Sequence, residues 1–402
     1  MHYMPRLKNG KSAPITWQIS ALFAFNTCWP LKDNATLSAR CWYKIKFFIL
    51  ILIAIYVLMG EILGIYANIN EIKIALEAGL SLLISFELVI RIINFRFRNA
   101  TTRKIIEEFY LDIYIEKNIF PHIFKEIQEG LKPAVICSYS YVFATIFFVL
   151  IPIVGIVKGQ KVFPFILDYP YDYTSWIVYI PSVACSIALA VIIVAHMIGE
   201  SNLLATIILH LNARFQLLER DILSCGYRTL KANDELYLTM AFRDQLIELV
   251  KRNFKLRKYC KKVQQLYSMQ FFIIMSMSSL LICSMAFEIV QIGLAIESCK
   301  YVCWILAKFV ELSYLCKLGS TLTNKTNDIS TAYYASDWEG ILTASGNRVE
   351  NIQTLNLLRL AIVLNQKPFT FTGFQFINIS LETCLKILKA ASSYFMFLQS
   401  MR

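Results

Sequence analysis

The sequence predicts an all-α integral membrane protein. It reads as seven transmembrane helices with a cytoplasmic N-terminus, an extracellular C-terminus and a cytoplasmic helical anchor layer. Three observations carry that prediction. Apolar residues make up 57% of the 402 residues and charged residues 17%, with a mean hydropathy of +0.52; soluble domains run at about 45–50% apolar and about 25% charged. The apolar residues fall in long unbroken runs such as FFILILIAIYVLMG at 47–60, without the period-2 alternation of a barrel strand. The basic residues are distributed very unevenly among the segments between these runs. The same composition excludes a disordered chain. With 14 Gly, 10 Pro and 11 Cys it also excludes collagen and disulfide scaffolds.

About 20 mostly apolar residues cross about 30 Å of hydrocarbon. Spans are expected at 47–66, 75–95, 134–157, 176–199, 268–292, 301–320 and 373–398. The first, third, fourth and fifth are strongly apolar. The second carries Glu77, Glu87 and Arg91, the sixth Lys308 and Glu311, and the seventh Glu382, Lys386 and Lys389. An unpaired charge at the centre of a span costs about 2.5–3.5 kcal/mol on insertion scales, so Lys308 and Glu311, three residues apart, are expected to pair. The first 46 residues are polar and basic, with no signal-peptide core.

Orientation follows from charge, because Lys and Arg concentrate on the cytoplasmic side. The N-terminal segment and the loops on its side hold 32 basic residues, against 5 on the opposite side. This orientation is the reverse of a G-protein-coupled receptor. Cys28, Cys41, Cys137, Cys185, Cys225, Cys260, Cys283, Cys316 and Cys384 then lie in spans or on the reducing side. Cys299 and Cys303, near the outer face, are read as buried thiols, since an i,i+4 disulfide has poor geometry. Sequons at Asn34, Asn99, Asn324 and Asn378 fall inside or within a span and are not expected to carry glycan.

The organisation expected from these boundaries is a cytoplasmic segment (1–46), a four-span bundle (47–199), a helical cytoplasmic extension (200–267), spans five and six (268–320), a cytoplasmic anchor segment (321–372) and a last helix with a short outer tail (373–402). Leu203, Ile207, Leu211, Phe215 and Leu218 recur at helical spacing, continuing the fourth span inward. A second inner helix is expected from Asn233 to about Lys262. The basic run at 251–258, with Lys261 and Lys262, adjoins a span on the inner side and is read as attracted to anionic lipid, not nucleic acid. The four histidines, His2, His122, His196 and His210, show no metal-ligand spacing. His196, alone in the fourth span, is read as a hydrogen-bonded bundle residue. There is no phosphate loop and no nucleophile elbow, and Glu61, Glu87 and Glu288 are read as single carboxylates, so neither enzyme nor cofactor is expected. A transporter reading would need repeats or broken mid-membrane helices. Pro152 and Pro181 are possible breaks, but they do not occupy corresponding halves.

Four stretches carry a resemblance. Ala332-x-Tyr334-x-Ser336-x-Trp338 follows the sixth span. Gln366-Lys367-Pro368, then Thr372-Gly373-x-x-Phe376, leads into the seventh. Ile387-Leu388-Lys389-Ala390-x-Ser392-Ser393-Tyr394-Phe395 lies near the end, and Pro164-Phe165, Tyr169-Pro170 and Asp172 lie in the second outer loop. Together these resemble the insect odorant receptor family. The ending departs from the gustatory pattern, with Gln399 one place early and Ser400 where Gln belongs, and the second inner loop is shorter than the shared co-receptor's. The resemblance therefore implies an odorant-tuned subunit of a ligand-gated, non-selective cation channel. Its implied setting is the plasma membrane of a sensory neuron dendrite, in a heterotetramer with the co-receptor, among membrane lipid, with a small volatile organic ligand. A gustatory-like channel or a transporter is the alternative.

The resemblance also places the functional residues. The last span lines the pore: Glu382, Lys386, Lys389, Ser393, Phe397 and Met401 share one face. Phe397 and Met401 match the family's apolar gate, and Ser400 a polar pore position. A ring of apolar side chains closes a pore by dewetting. Paired Glu382 and Lys386 would soften the cationic character of that face. The ligand pocket is placed in the outer half of spans two, three, four and six. The residues there are Leu80, Ser81 and Ile84; Tyr141, Thr145, Phe148 and Ile151; Tyr173, Trp176, Tyr179, Ile180 and Val183; and Trp304 and Ile305. The hydroxyls of Tyr141, Thr145 and Tyr179 are the expected hydrogen-bond donors to an oxygenated odorant, in an otherwise apolar cavity.

Epitope tags at the two ends of the chain test the orientation on intact cells. The charge asymmetry predicts labelling of the C-terminal tag only; labelling of the N-terminal tag without permeabilisation reverses the arrangement.

Overall fold

The computed structural model describes residues 2–17, 19, 23, 25–173, 175–232, 238–293, 298–345 and 347–400. Seven long helices fill the positions of the seven expected spans: α1 (Leu37–Ala67), α2 (Ile72–Phe97), and, after a short α3 (Asn99–Glu108), α4 (Pro121–Val157) and α5 (Trp176–Leu223). A short α6 (Cys225–Ala232) precedes α7 (Leu238–Ile292) and α8 (Cys299–Tyr334). The chain closes with α9 (Trp338–Ala344), α10 (Arg348–Asn365), a two-stranded hairpin of β1 (Thr372–Gly373) and β2 (Ile377–Asn378), and α11 (Leu381–Ser400).

Helices α1, α4, α5 and α7 are long and apolar enough by themselves to cross a membrane. The windows of α2, α8 and α11 are interrupted by the charges noted above. Start signals are local: the Thr36 hydroxyl accepts the Ala39 N–H at 3.3 Å to cap α1, Pro121 opens α4 and the Asn347 side chain caps α10. Pro152 and Pro181 do not break their helices; α4 and α5 run through both. Neighbouring helices make such prolines tolerable in a membrane bundle.

Three helices outrun the bilayer. At about 1.5 Å per residue, the 48 residues of α5 and the 55 of α7 extend far beyond a hydrocarbon core. α7 and α8 cross the expected boundaries at 267/268 and 320/321 without a break. The expected inner helix beginning at Asn233 is the first part of α7, which starts at Leu238; residues 233–237 lie outside the described residues. The inner ends of α5, α7, α8 and α10 share one core containing Phe215, Tyr259, Tyr267, Leu322, Tyr333 and Leu358.

Several residues of the basic run of α7 pair within this layer while staying partly exposed. Lys255 pairs with Asp112 at 2.7 Å, Arg252 with Asp221 at 2.9 Å and Lys262 with Glu108 at 2.5 Å. Arg257 donates to the Lys367 carbonyl at 3.1 Å. The reading of Cys299 as buried is corrected: it is exposed, and Cys303 half-buried, both free thiols.

The last helix starts eight residues later than expected. Residues 372–378 form the hairpin, Thr372 opposite Asn378 and Gly373 opposite Ile377; Phe374 and Gln375 take positive φ in the three-residue connection, which the Phe376 N–H closes on the Gly373 carbonyl at 3.0 Å. Gln264 of α7 accepts the Thr372 N–H at 2.8 Å and donates to its carbonyl. Gly373 is required where the hairpin crosses α7, since a Cβ there would lie 2.7 Å from the Phe272 backbone. The Ser320 hydroxyl then accepts the Leu381 N–H at 2.9 Å, tying the start of α11 to α8.

A π-helical turn (Phe109–Ile113) docks the α3–α4 connection onto α5. Its freed carbonyls are taken by Arg214, which donates to Ile113 and Tyr114 at 2.8 Å each. His210 Nδ1 accepts the Ile115 N–H at 3.0 Å, with the Tyr114 ring stacked on it at 4.7 Å. Burial, and then the Arg214 charge, push His210 down to about 3. The folded state therefore holds it neutral while the unfolded chain protonates it below about 6.5. This contribution is intact above about pH 6.5 and declines progressively as pH falls toward about 3. Replacing His210 by Gln, which keeps an acceptor, is expected to lower stability at pH 7.5 modestly and to flatten the fall in melting midpoint between pH 7 and pH 5.

Candidate functional site: an outer cavity above a buried ion network

The outer ends of the helices pack around aromatic rings supplied by the loop 158–175. Gly60 and Gly64 let this loop lie directly on α1; at Gly64 a Cβ would sit 2.7 Å from the Ile166 carbonyl. Tyr56 of α1 stacks on Tyr169 at 4.8 Å, and the Asp168 N–H donates to the Gly60 carbonyl at 3.0 Å. Pro164, Phe165 and Ile166 thereby form a cover over a small cavity.

Five of the expected ligand residues meet at this cavity: Leu80, Ser81 and Ile84 from α2, Phe148 from α4 and Trp304 from α8. The helical spacing of the α2 residues brings Glu77 onto the same wall, and α8 adds Lys300 and Tyr301 one turn outward of Trp304. Glu77 accepts from the Tyr301 hydroxyl at 2.5 Å and pairs with Lys300 at 3.2 Å. The Lys300 ammonium also faces the Phe148 ring at 5.5 Å. The result is an apolar chamber with a charged, hydrogen-bonding outer corner. Glu77, Lys300 and Tyr301 were missed as site residues because they had been assigned to span ends and loops. The i,i+4 relation of Lys300 to Trp304 was the available signal.

The other expected residues lie elsewhere. The three hydroxyls expected as donors to a ligand donate within the protein: Tyr141 to Glu311 at 3.0 Å, Thr145 to the Tyr141 carbonyl at 2.8 Å and Tyr179 to the Val162 carbonyl at 2.7 Å. Thr145 also faces a separate groove between α4 and α5. Tyr173 and Tyr179 pack on Phe163, Trp176 packs on Tyr179, and Val183 is buried beside them. Ile180 is exposed. Ile151 is half-buried, as is Ile305, which packs on the outer core.

Beneath the chamber the structure buries a network of charges. Arg91 of α2 pairs with Glu87 at 3.0 Å, with Glu200 of α5 at 2.7 Å and with Glu311 of α8 at 3.3 Å. Lys308 pairs with Glu87 at 2.8 Å and, as its spacing suggested, with Glu311 at 3.0 Å. Glu87 is therefore not the single carboxylate it was taken for. The Tyr141 hydroxyl on Glu311, with the Tyr141 ring edge-on to Trp304 at 5.3 Å, joins the network to the chamber wall. His196 extends it, with Nε2 at 3.5 Å from Glu200 and Phe23 and Phe95 on either side.

In α11, Cys384 and Ala391 are buried while Ser393, Phe397 and Ser400 are exposed on the isolated chain. The Ser393 and Ser400 hydroxyls turn back onto their own helix, at 3.1 and 2.7 Å. Glu382 pairs with Lys386 at 2.6 Å. Met401 lies outside the described residues.

The family model described as 7tm Odorant receptor matches residues 71–392. Odorant receptor 74a of Drosophila melanogaster is 30% identical over 401 residues, spanning 100% of this chain and 99% of that protein. Odorant receptor 35a of the same fly is 28% identical over 404 residues, spanning 100% and 98%. The solved structure of the insect olfactory receptor OR5 from Machilis hrabei superimposes with a TM-score of 0.78 at 13% identity, covering 96% of this chain and 97% of that one. Its complex with eugenol gives 0.74. At that identity the likeness is one of fold.

The network predicts an order of damage. Arg91→Met takes a partner from three buried carboxylates and leaves Glu200 without its cation, whereas Lys308→Met takes one from two carboxylates that keep Arg91; leaving a buried charge unpaired costs about 3–5 kcal/mol. Surface expression is expected to fall further in Arg91→Met than in Lys308→Met. Adding Glu311→Gln to Lys308→Met is expected to recover part of the loss; strictly additive losses in the double variant contradict the pairing.

Proposed function

The chain belongs to the 7tm odorant receptor family, and on that premise we propose that it is the odorant-tuned subunit of a ligand-gated, non-selective cation channel. Membership makes it a multi-pass plasma membrane receptor of sensory neurons and not an enzyme. The single observation that carries the finer reading is the small roofed chamber between α2, α4 and α8. Its mostly apolar lining with a few convergent polar groups is that of a small-molecule site. The eugenol-bound relative with this fold is consistent with such a ligand.

In this reading a small volatile ligand lies against Trp304, Phe148 and Ile84. Its polar atom points at the corner formed by Lys300, Glu77 and Tyr301, and the hydroxyls of Tyr141, Thr145 and Tyr179 shape the walls indirectly. The last helix lines the pore, with Phe397 and Met401 as its apolar gate and Ser393 and Ser400 on the polar pore surface. The co-receptor supplies the remaining subunits of a heterotetramer. The exposed apolar side chains of α11, including Leu385, Tyr394 and Phe397, are of the kind that such neighbours cover.

Co-expression with and without the co-receptor, with current recorded against a panel of volatiles, tests the reading; no odorant-evoked cation current under any pairing contradicts it. Trp304→Ala and Ile84→Trp are expected to move the dose–response midpoint about tenfold or more, the effect of about 1.4 kcal/mol in affinity, with resting current unchanged.

Phe397→Ser is expected to do the reverse. It should raise current without odorant, or alter relative permeability, at an unchanged midpoint. Wild-type resting current, block and permeability in that variant reassign the stripe to packing.

A further inference from the structure

Two cations at the inner ends of α1 and α2 have aromatic rings as neighbours but, among the described residues, no counter-charge. Nearby arginines are engaged: Arg98 donates to the Gln265 carbonyl at 2.5 Å, Arg40 donates to the Asp33 carbonyl at 2.6 Å, and Arg103 pairs with the Asp33 carboxylate. Several cations of the α7 basic run have carboxylate partners as well. Arg96, in the last turn of α2, and Lys46, on α1, meet neither a carboxylate nor a hydrogen-bond acceptor among the described residues. Arg96 Nε is buried in that state, and a buried donor without an acceptor is costly.

Aromatic side chains hold both groups. Arg96 Cζ lies 5.0 Å from the Tyr43 ring centre and 5.3 Å from that of Phe47, the two rings one turn apart on α1. Lys46 shares that helix face, and its Nζ lies 4.9 Å from the Phe25 ring centre. The platform is fixed from below. Tyr43 is buried and its hydroxyl donates to the Trp29 carbonyl, while Trp29 Nε1 donates to the Tyr3 carbonyl at 2.8 Å. A cation resting on ring faces keeps its N–H donors for an anion. Lys46 and Arg96 also stand immediately outside the expected spans at 47–66 and 75–95, on their cytoplasmic side, next to exposed Phe48 and Phe97. That is the level at which hydrocarbon meets the inner lipid headgroups.

We propose that Arg96 and Lys46 form a site for the phosphomonoester of an inositol lipid in the inner leaflet. The guanidinium fork matches two phosphate oxygens at once, and the ammonium adds a point charge. A phosphomonoester carries about −1.5 to −2 charges at pH 7. Two fixed cations therefore match it better than the singly charged phosphodiester of other anionic lipids. The apolar surface at Phe48 and Phe97 takes the adjoining acyl chains. The site joins α1 to α2 at the inner face, away from the outer chamber and from the last helix.

The full-length chain in phosphatidylcholine nanodiscs tests this, read as melting midpoint against the mole fraction of phosphatidylinositol 4-phosphate. Binding to the native state raises that midpoint saturably. Lys46→Gln and Arg96→Gln are each expected to raise the half-saturating mole fraction about fivefold, the contribution of one basic residue at an anionic surface. Lys44→Gln, which removes the same charge from another face of α1, is expected to leave it unchanged. Where Arg96→Gln does not fold, Lys46→Gln decides alone. Discs with phosphatidylserine at matched total charge, and phosphatidylcholine discs with free inositol 1,4-bisphosphate, complete the comparison; both are expected to give the smaller rise. An equal rise with phosphatidylserine, or an equal loss in Lys44→Gln, assigns diffuse surface charge and overturns the proposal. So does a full rise with the free headgroup, which assigns a soluble phosphate, or wild-type half-saturation in Lys46→Gln. The readout is lipid binding, so failure of odorant gating leaves the proposal standing.

Discussion

A guanidinium held at membrane depth sets the terms for the rest of this structure. Arg91 is 1% exposed within a helix that must sit in hydrocarbon, and an unneutralised charge there opposes insertion. Its full set of carboxylate partners is assembled only if α2, α5 and α8 are adjacent and in register, because they come from all three. Lys308 and Glu87 bind α2 to α8 a second time. Helices in a bilayer gain little from hydrophobic association, so polar contacts and close packing decide their arrangement. This network supplies such contacts where the apolar faces alone would leave rotation undetermined.

The network also divides the membrane-embedded part into two spaces. Above it, aromatic rings and the loop laid across Gly60 and Gly64 roof an apolar chamber with a polar corner. Below it, a second small space borders Glu200, whose Oε1 meets no hydrogen-bond donor among the described residues. Tyr141 touches both regions, with its ring against Trp304 and its hydroxyl on Glu311. A ligand that displaces Trp304 therefore acts on a side chain bonded to the network that fixes the helix register. That is a short physical route from an outer chamber to the inner helical layer, where α7 and α8 continue to the hairpin that starts the last helix.

Helix type and position were legible because long apolar runs at 47–60 or 268–292 admit few other readings. The Lys308–Glu311 pair was legible because three-residue spacing puts both on one face. Register between helices was not legible. Nothing local links Glu87, Glu200 and Glu311, which lie more than 100 residues apart and meet through one arginine. The hydroxyls of Tyr141, Thr145 and Tyr179 have partners within the protein that no local spacing announces. The start of the last helix was misplaced because Thr372 and Gly373 are held by Gln264 and Phe272 of a distant helix. The pairings of the charge run in α7 were not legible because its acidic partners, Asp112, Asp221 and Glu108, come from other segments.

The central claim is that the outer chamber is the odorant site and that the ion network is its fixed floor. Electron cryomicroscopy of the full-length chain with its co-subunit, bound to an activating odorant, tests it directly. The account predicts ligand density against Trp304, Phe148 and Ile84, with Arg91 still contacting Glu87, Glu200 and Glu311. An empty outer chamber, with the odorant bound elsewhere in the chain, contradicts it.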